Sequence, residues 1–142
     1  MSQDHYRDLL QRCAGLAAVP TIVVHPCEAG ALRGALEAAE AINVNAMDAM
    51  DAIIREFELP AHTVGLGVKG CVTWSATPVR NYRDYKATDF ALAELSWLWG
   101  VNRGVLTPPG LDEQWLVSLA HTQEDMDGLV AHFRELAEAL RA

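Results

Sequence analysis

Basic charge is scarce in this chain. Its 142 residues carry 11 Lys and Arg against 19 Asp and Glu, a formal net charge of −8. No stretch gathers the cations into a stripe able to neutralise a row of phosphates, so nucleic acid is excluded as an expected partner. Long apolar runs are missing too. The longest, such as Ala17 to Val24, fall far short of the roughly 20 residues that cross a bilayer. The opening Met-Ser-Gln-Asp-His-Tyr-Arg-Asp alternates charge and lacks the apolar core of a secretory signal. A soluble, cytoplasmic protein with no membrane partner is expected. Cysteine is limited to Cys13, Cys27 and Cys71. That odd count at wide spacing argues against a disulfide framework and supplies no C-x-x-C metal pair. The glycine spacing of a P-loop is also absent.

What is present is an apolar, periodic sequence, 51% hydrophobic and 21% charged. Two independent domains of about 70 residues would each bury too little surface, so residues 1–142 are expected to form a single domain. Tyr6, Leu9, Leu10, Cys13, Leu16 and Ala17 predict a helix over 3–17, and Thr21-Ile22-Val23-Val24 a buried strand. Leu32, Ala35, Leu36, Ala39 and Ile42 predict a second helix. A third, with Met47, Met50, Ile53, Ile54 and Phe57 on one face, would be capped by Asn43 or Asn45 and stopped by Pro60.

His62 to Leu66 and Cys71 to Ser75 predict a hairpin around Gly67-Val68-Lys69-Gly70. A helix over 84–99, capped by Asp84 and ended by Gly100, follows. Two short strands, Arg103 to Leu106 and Gln114 to Ala120, precede a last helix whose Thr122 and Asp125 form a capping box. The order specifies an α+β fold: a mainly antiparallel or mixed sheet of about four or five strands, with helices mainly on one face. A sequence seam falls near residues 41–50. Thr21 to Val24 is expected to join the downstream sheet and remove one exposed edge, so a chain begun at residue 43 should be aggregated or molten.

The stretch Leu59-Pro-Ala-His-Thr-Val-Gly-Leu-Gly-Val-Lys-Gly-Cys-Val-Thr-Trp-Ser75 resembles the small-domain entry of class III aminotransferases of the glutamate semialdehyde aminomutase type. Pro78-Val-Arg-Asn-Tyr-Arg-Asp-Tyr85, Asn102-Arg-Gly-Val105 and Ser118-Leu-Ala-His-Thr-Gln-Glu-Asp125 follow in that family's order, so the resemblance covers residues 45–142. Val19-Pro-Thr-Ile-Val-Val-His-Pro-Cys27 and Leu32-Arg-Gly-Ala-Leu-Glu-Ala-Ala-Glu40 are similar instead to the N-terminal βα unit of phosphate acetyl- and butyryltransferases. Together the two resemblances imply a chimera of two family fragments.

The aminotransferase resemblance implies pyridoxal phosphate, which needs a Schiff-base lysine, an Asp for the ring nitrogen and a phosphate cradle. In that family these come from the large domain, and none of its motifs occurs in these residues. The only lysines, Lys69 and Lys86, match no cofactor lysine and read as solvated. His25 with Cys27 would make a nucleophile pair only if both side chains met, whereas a strand-to-helix junction suffices to explain them. His121 either satisfies loop carbonyls or faces a cleft, the structural role being the plainer reading. Glu124 and Asp125 complement a helix dipole. Arg80, Arg83 and Arg103 are candidate carboxylate clamps, with surface ion pairs as the plainer reading. Trp74, Trp97, Trp99 and Trp115 suit a core or a buried interface.

No catalytic, cofactor-binding or metal role is therefore assigned to any residue. The expected function is that of a small-domain module derived from a pyridoxal-phosphate aminotransferase or aminomutase, inactive alone and binding no cofactor alone. The alternative is an interaction module that self-associates or docks a large-domain partner. A phosphate acyltransferase is the third and least supported reading.

Overall fold

The computed structural model describes residues 26–108 and 114–142. The chain divides into two compact units, Met1–Ala31 and Leu32–Ala142. The helix predicted over 3–17 and the strand Thr21 to Val24 lie outside the described residues. The described elements are α1 (Pro26–Glu56), β1 (His62–Leu66), β2 (Lys69–Thr73), α2 (Tyr82–Lys86), α3 (Phe90–Val101), β3 (Trp115–Leu116) and α4 (Gln123–Arg141). This is an α+β arrangement whose sheet has three strands among the described residues, in the order β1-β2-β3 and antiparallel throughout. The expected four or five strands are not reached there.

Where two helices are predicted, over 32–42 and 47–57, α1 is one helix of 31 residues. Asn43 or Asn45 is the expected cap of the second of these, because Asn is a preferred N-cap residue. Asn43 instead spends its amide on the sheet, and nothing interrupts the helical ladder. Ala39, Ala46, Met50, Ile53 and Ile54 line the buried face. The helix ends with Leu59 N–H donating to Ile54 O at 2.9 Å and Glu58 in the left-handed region at φ 48°. Pro60 follows, where the ladder cannot continue.

The hairpin is tighter than its prediction. Leu66 pairs with Lys69, leaving Gly67 and Val68 as a two-residue loop, so β2 begins at Lys69 rather than Cys71. Gly67 takes φ 59° while Val68 does not enter the positive region, the requirement of a type II′ turn. β3 then pairs Trp115 with Gly70 and Leu116 with Lys69. A Cβ on Gly70 would collide with the Trp115 ring, so this glycine is what lets the indole lie against β2.

Three further predictions shift. The single helix over 84–99 is two: Asn81 Oδ1 caps α2, accepting from Arg83 and Asp84 N–H, and Asp89 caps α3 through Ala91 and Leu92 N–H. Asp84 is therefore not a cap; its carboxylate accepts from Arg80 N–H at 3.0 Å. Gly100 lies inside α3, which ends one residue later. The strand predicted over 103–106 is the turn that closes α3, since Arg103 and Val105 N–H both go to Gly100 O at 2.9 Å. The strand predicted over 114–120 shrinks to Trp115–Leu116, because Ser118 to His121 close a turn of their own.

The last helix forms as read. Thr122 accepts from Asp125 N–H while the Asp125 carboxylate accepts from Thr122 N–H, a complete capping box. Met126, Phe133, Leu136 and Ala137 are buried, and Trp74 meets Phe133 with ring centroids 6.1 Å apart. Arg134 grips Glu56 through two bonds of 3.0 and 2.8 Å. Arg141 donates to Phe57 O at 2.6 Å. Both arginines tie α4 to the end of α1.

Candidate functional site

The most connected polar residue is one that the sequence reading took for a cap. Asn43 is 1% exposed. Its Nδ2 donates to Gly67 O at 2.8 Å and Lys69 O at 3.0 Å, and its Oδ1 accepts from Trp115 Nε1 at 2.7 Å. One amide thus joins α1, the hairpin turn and β3. A signal for this was present: residues 39, 43, 46 and 50 share one helical face, so Asn43 interrupts an otherwise apolar stripe.

Beside it, Trp97, Trp99, Trp115, Phe133, His132 and Ser96 help to line a cavity of about 60 Å³. Arg103 lies over the Trp99 ring, its guanidinium carbon 3.5 Å from the centroid, and its Nε donates to Glu135 at 3.0 Å. The same Glu135 oxygen is 3.9 Å from His132 Nδ1. The clamp candidate Arg103 is therefore held in an ion pair and stacked on an indole. A wider cleft of about 290 Å³ runs past Leu59, Trp74, Leu92 and Arg141.

The other sequence candidates are dispersed. His25 and the side chain of Cys27 lie outside the described residues. Lys69 is exposed at the start of β2, and Lys86 is exposed at the end of α2. Arg80 and Arg83 are exposed around α2. His121 Nδ1 accepts from Ser118 N–H at 2.9 Å, a loop-closing bond. The Asp125 carboxyl is held below its ordinary pKa by the bonds from Thr122, and Glu56 is held below its own by Arg134. Both shifts belong to contacts that build the fold. Among the described residues no three His, Cys, Asp or Glu side chains converge as metal ligands, and no helix is long and apolar enough to cross a membrane.

No family model matches the chain. Individual proteins do. The chain is similar to glutamate-1-semialdehyde aminomutases. It is 28% identical over 110 residues to glutamate-1-semialdehyde 2,1-aminomutase 2 of Brevibacillus brevis, covering 76% of this chain and 25% of that protein. It is 33% identical over 93 residues to the Thermomicrobium roseum aminomutase, covering 65% and 22%. The fold agrees: the crystal structure of the Pseudomonas aeruginosa aminomutase superposes with a TM-score of 0.65 at 21% identity, over 70% of this chain and 22% of that one. The chain thus spans about a quarter of the length of the relatives it matches. The phosphate acyltransferase resemblance of residues 1–42 receives no support from these relatives.

For pyridoxal phosphate, which the aminomutase resemblance implies, the described residues offer no lysine at either pocket: Lys69 and Lys86 are exposed on separate elements and line neither the 60 Å³ cavity nor the 290 Å³ cleft.

Proposed function

We propose that this chain is a small-domain module derived from a pyridoxal-phosphate aminotransferase or aminomutase, and that it performs no transamination alone. The observation that carries the reading is the similarity to about a quarter of each aminomutase, combined with lysines that line neither the cavity nor the cleft among the described residues. The test mixes the purified chain with pyridoxal phosphate and an amino donor. No stoichiometric cofactor absorbance and no amino-group turnover are expected; stoichiometric binding with turnover overturns the proposal.

A second reading, an interaction module that pairs two copies, is favoured by α3. Its sequence FALAELSWLWGV has one charge and no polar face, yet only Ala93 is fully buried, and Leu95 and Leu98 remain 43% and 44% exposed. A helix apolar on all sides belongs under cover. Light scattering at rising concentration should show dimers that Leu95→Glu with Leu98→Glu dissolves. A chain that stays monomeric at high concentration rejects this reading.

A further inference from the structure

Helix α3 is packed on most sides and bare on one. Its exposed residues are Ala91, Glu94, Leu95, Leu98 and Val101, and the Asn102 that caps its end is exposed too. Steps of three and four gather these positions into one stripe along the helix. Elsewhere α3 is engaged: Ala93 is buried, Trp97 and Trp99 line the cavity shared with α4 and β3, and Trp97 Nε1 donates to Thr107 O at 3.1 Å. The stripe is therefore preformed, and nothing in α3 has to repack before a second surface meets it.

We infer that α3 pairs with α3 of a second copy, antiparallel about a two-fold axis at Leu98, so that Glu94 of each copy accepts a hydrogen bond from the partner's Asn102. The inference rests on the reading of α3 as a self-association surface, and it adds the orientation of the two copies and the polar contact that sets it.

Charge along the stripe decides the orientation. Leu95, Leu98 and Val101, at 43%, 44% and 37% exposed, form its apolar middle. Glu94 is its one charge and stands toward one end, while Asn102, a neutral amide with two N–H donors, stands at the other. A parallel pair would set Glu94 beside the partner's Glu94 at the margin of an apolar seam, where juxtaposed like charges are costly. An antiparallel pair exchanges the ends. With the axis at Leu98, Leu95 lies level with the partner's Val101, and Glu94 lies level with the partner's Asn102, because the members of each couple are equally far from the axis in sequence. The stripe is then complementary to its own reverse, apolar on apolar and acceptor on donor, with each contact made twice as a two-fold interface requires.

The test oxidises full-length variants carrying one added cysteine and reads covalent dimers on non-reducing gels, with the wild-type chain and its own cysteines as background. Leu98→Cys should cross-link above that background. Ala91→Cys should not, because the partner's Ala91 then lies level with the turn beyond the helix end, roughly 20 Å along the seam at ~1.5 Å per residue, and a disulfide spans only ~4.4–6.8 Å between Cα atoms. Glu94→Cys mixed with Asn102→Cys should yield the mixed dimer, identified by mass, in excess of either self-paired one. Asn102→Lys, which sets a cation opposite the partner's Glu94, should tighten the dimer by about threefold or more in light scattering on dilution; in a parallel pair two lysines would meet and the dimer would weaken. Ala91→Cys cross-linking as well as Leu98→Cys, no cross-link at Leu98→Cys, or a dimer weakened by Asn102→Lys overturns this arrangement and leaves self-association through α3 standing. A chain monomeric at every concentration, or a dimer indifferent to Leu95→Glu with Leu98→Glu, overturns both.

Discussion

Replacing Asn43 by Leu tests the central claim about how this fold is held. The substitution keeps the branched shape of the side chain and slightly raises the helical propensity of α1, but removes three hydrogen bonds, of 2.7, 2.8 and 3.0 Å. The Trp115 N–H is left buried without an acceptor, which costs about 1–3 kcal/mol. The carbonyls of Gly67 and Lys69 lose a donor each, at about 0.5–1.5 kcal/mol per bond. Burial of the new isobutyl group offsets roughly 1 kcal/mol of this. A net loss of about 1–5 kcal/mol is expected, a large share of the ~5–15 kcal/mol that a domain possesses. Urea unfolding should show a lower midpoint at unchanged slope.

Asn45→Leu is the control, because Asn45 is exposed and makes one 3.2 Å bond to Gln123; its effect should stay within about 0.5 kcal/mol. Combining Asn43→Leu with Trp115→Phe should recover at least ~1 kcal/mol, since the phenyl ring leaves no orphan donor. A loss below about 1 kcal/mol for Asn43→Leu, or one equal to that of Asn45→Leu, refutes the reasoning.

Gly70→Ala places a methyl against the Trp115 ring and should destabilise by about 1–3 kcal/mol; a neutral result in thermal melting would mean that β3 is free to move. Thr122→Ala removes the side-chain half of the capping box and should cost about 0.5–2 kcal/mol. The folded pKa values of Asp125 and Glu56 lie below their ordinary ones, so the unfolded chain binds more protons in acid and stability rises with pH. That contribution is complete above the unfolded values of about 4 and is lost as pH falls through the lower folded ones. Chemical denaturation at stepped pH should show this decline, reduced in Thr122→Ala. A chain begun at Asn43 loses Ala39, 3% exposed in the core, and Ile42 packed against it. It should lack a sharp melting transition, and a cooperative monomeric melt would contradict this.

What was legible in the sequence was chemistry that acts within one turn. The Thr122–Asp125 box spans three residues and decides its own outcome, and the Gly67 turn does the same over two. Asn43 was legible only as a polar residue, because its partners lie 24, 26 and 72 positions away. The same ambiguity misplaced the cap of α2. Asn81, Asp84 and Asp89 are all cap-forming residues, and the choice among them follows from Asp89 N–H donating to Trp74 O at 2.8 Å, which starts α3 against the strand end. The tryptophans were countable in advance, but the cavity that Trp97, Trp99 and Trp115 help to line depends on how α3, β3 and α4 pack, and nothing local fixes that.

This distribution of information bears on what the aminomutase similarity transmits. Within residues 45–142, where the resemblance lies, Gly67 forms a turn, Gly70 admits an indole, Asn81 and Asp89 start helices, and Thr122 with Asp125 starts another. Trp74 and Trp115 fill the core. Each resembling residue that the structure accounts for is accounted for by backbone geometry or packing. A relationship carried by such residues can persist after the chemistry of the relatives has been shed, because selection for a stable small domain alone maintains it. Sequence similarity over this quarter of an aminomutase is therefore strong evidence for architecture and is silent on activity. The residues whose features the fold leaves unused, such as the exposed Leu95 and Leu98 of α3, are the places where a function particular to this chain would have to be written.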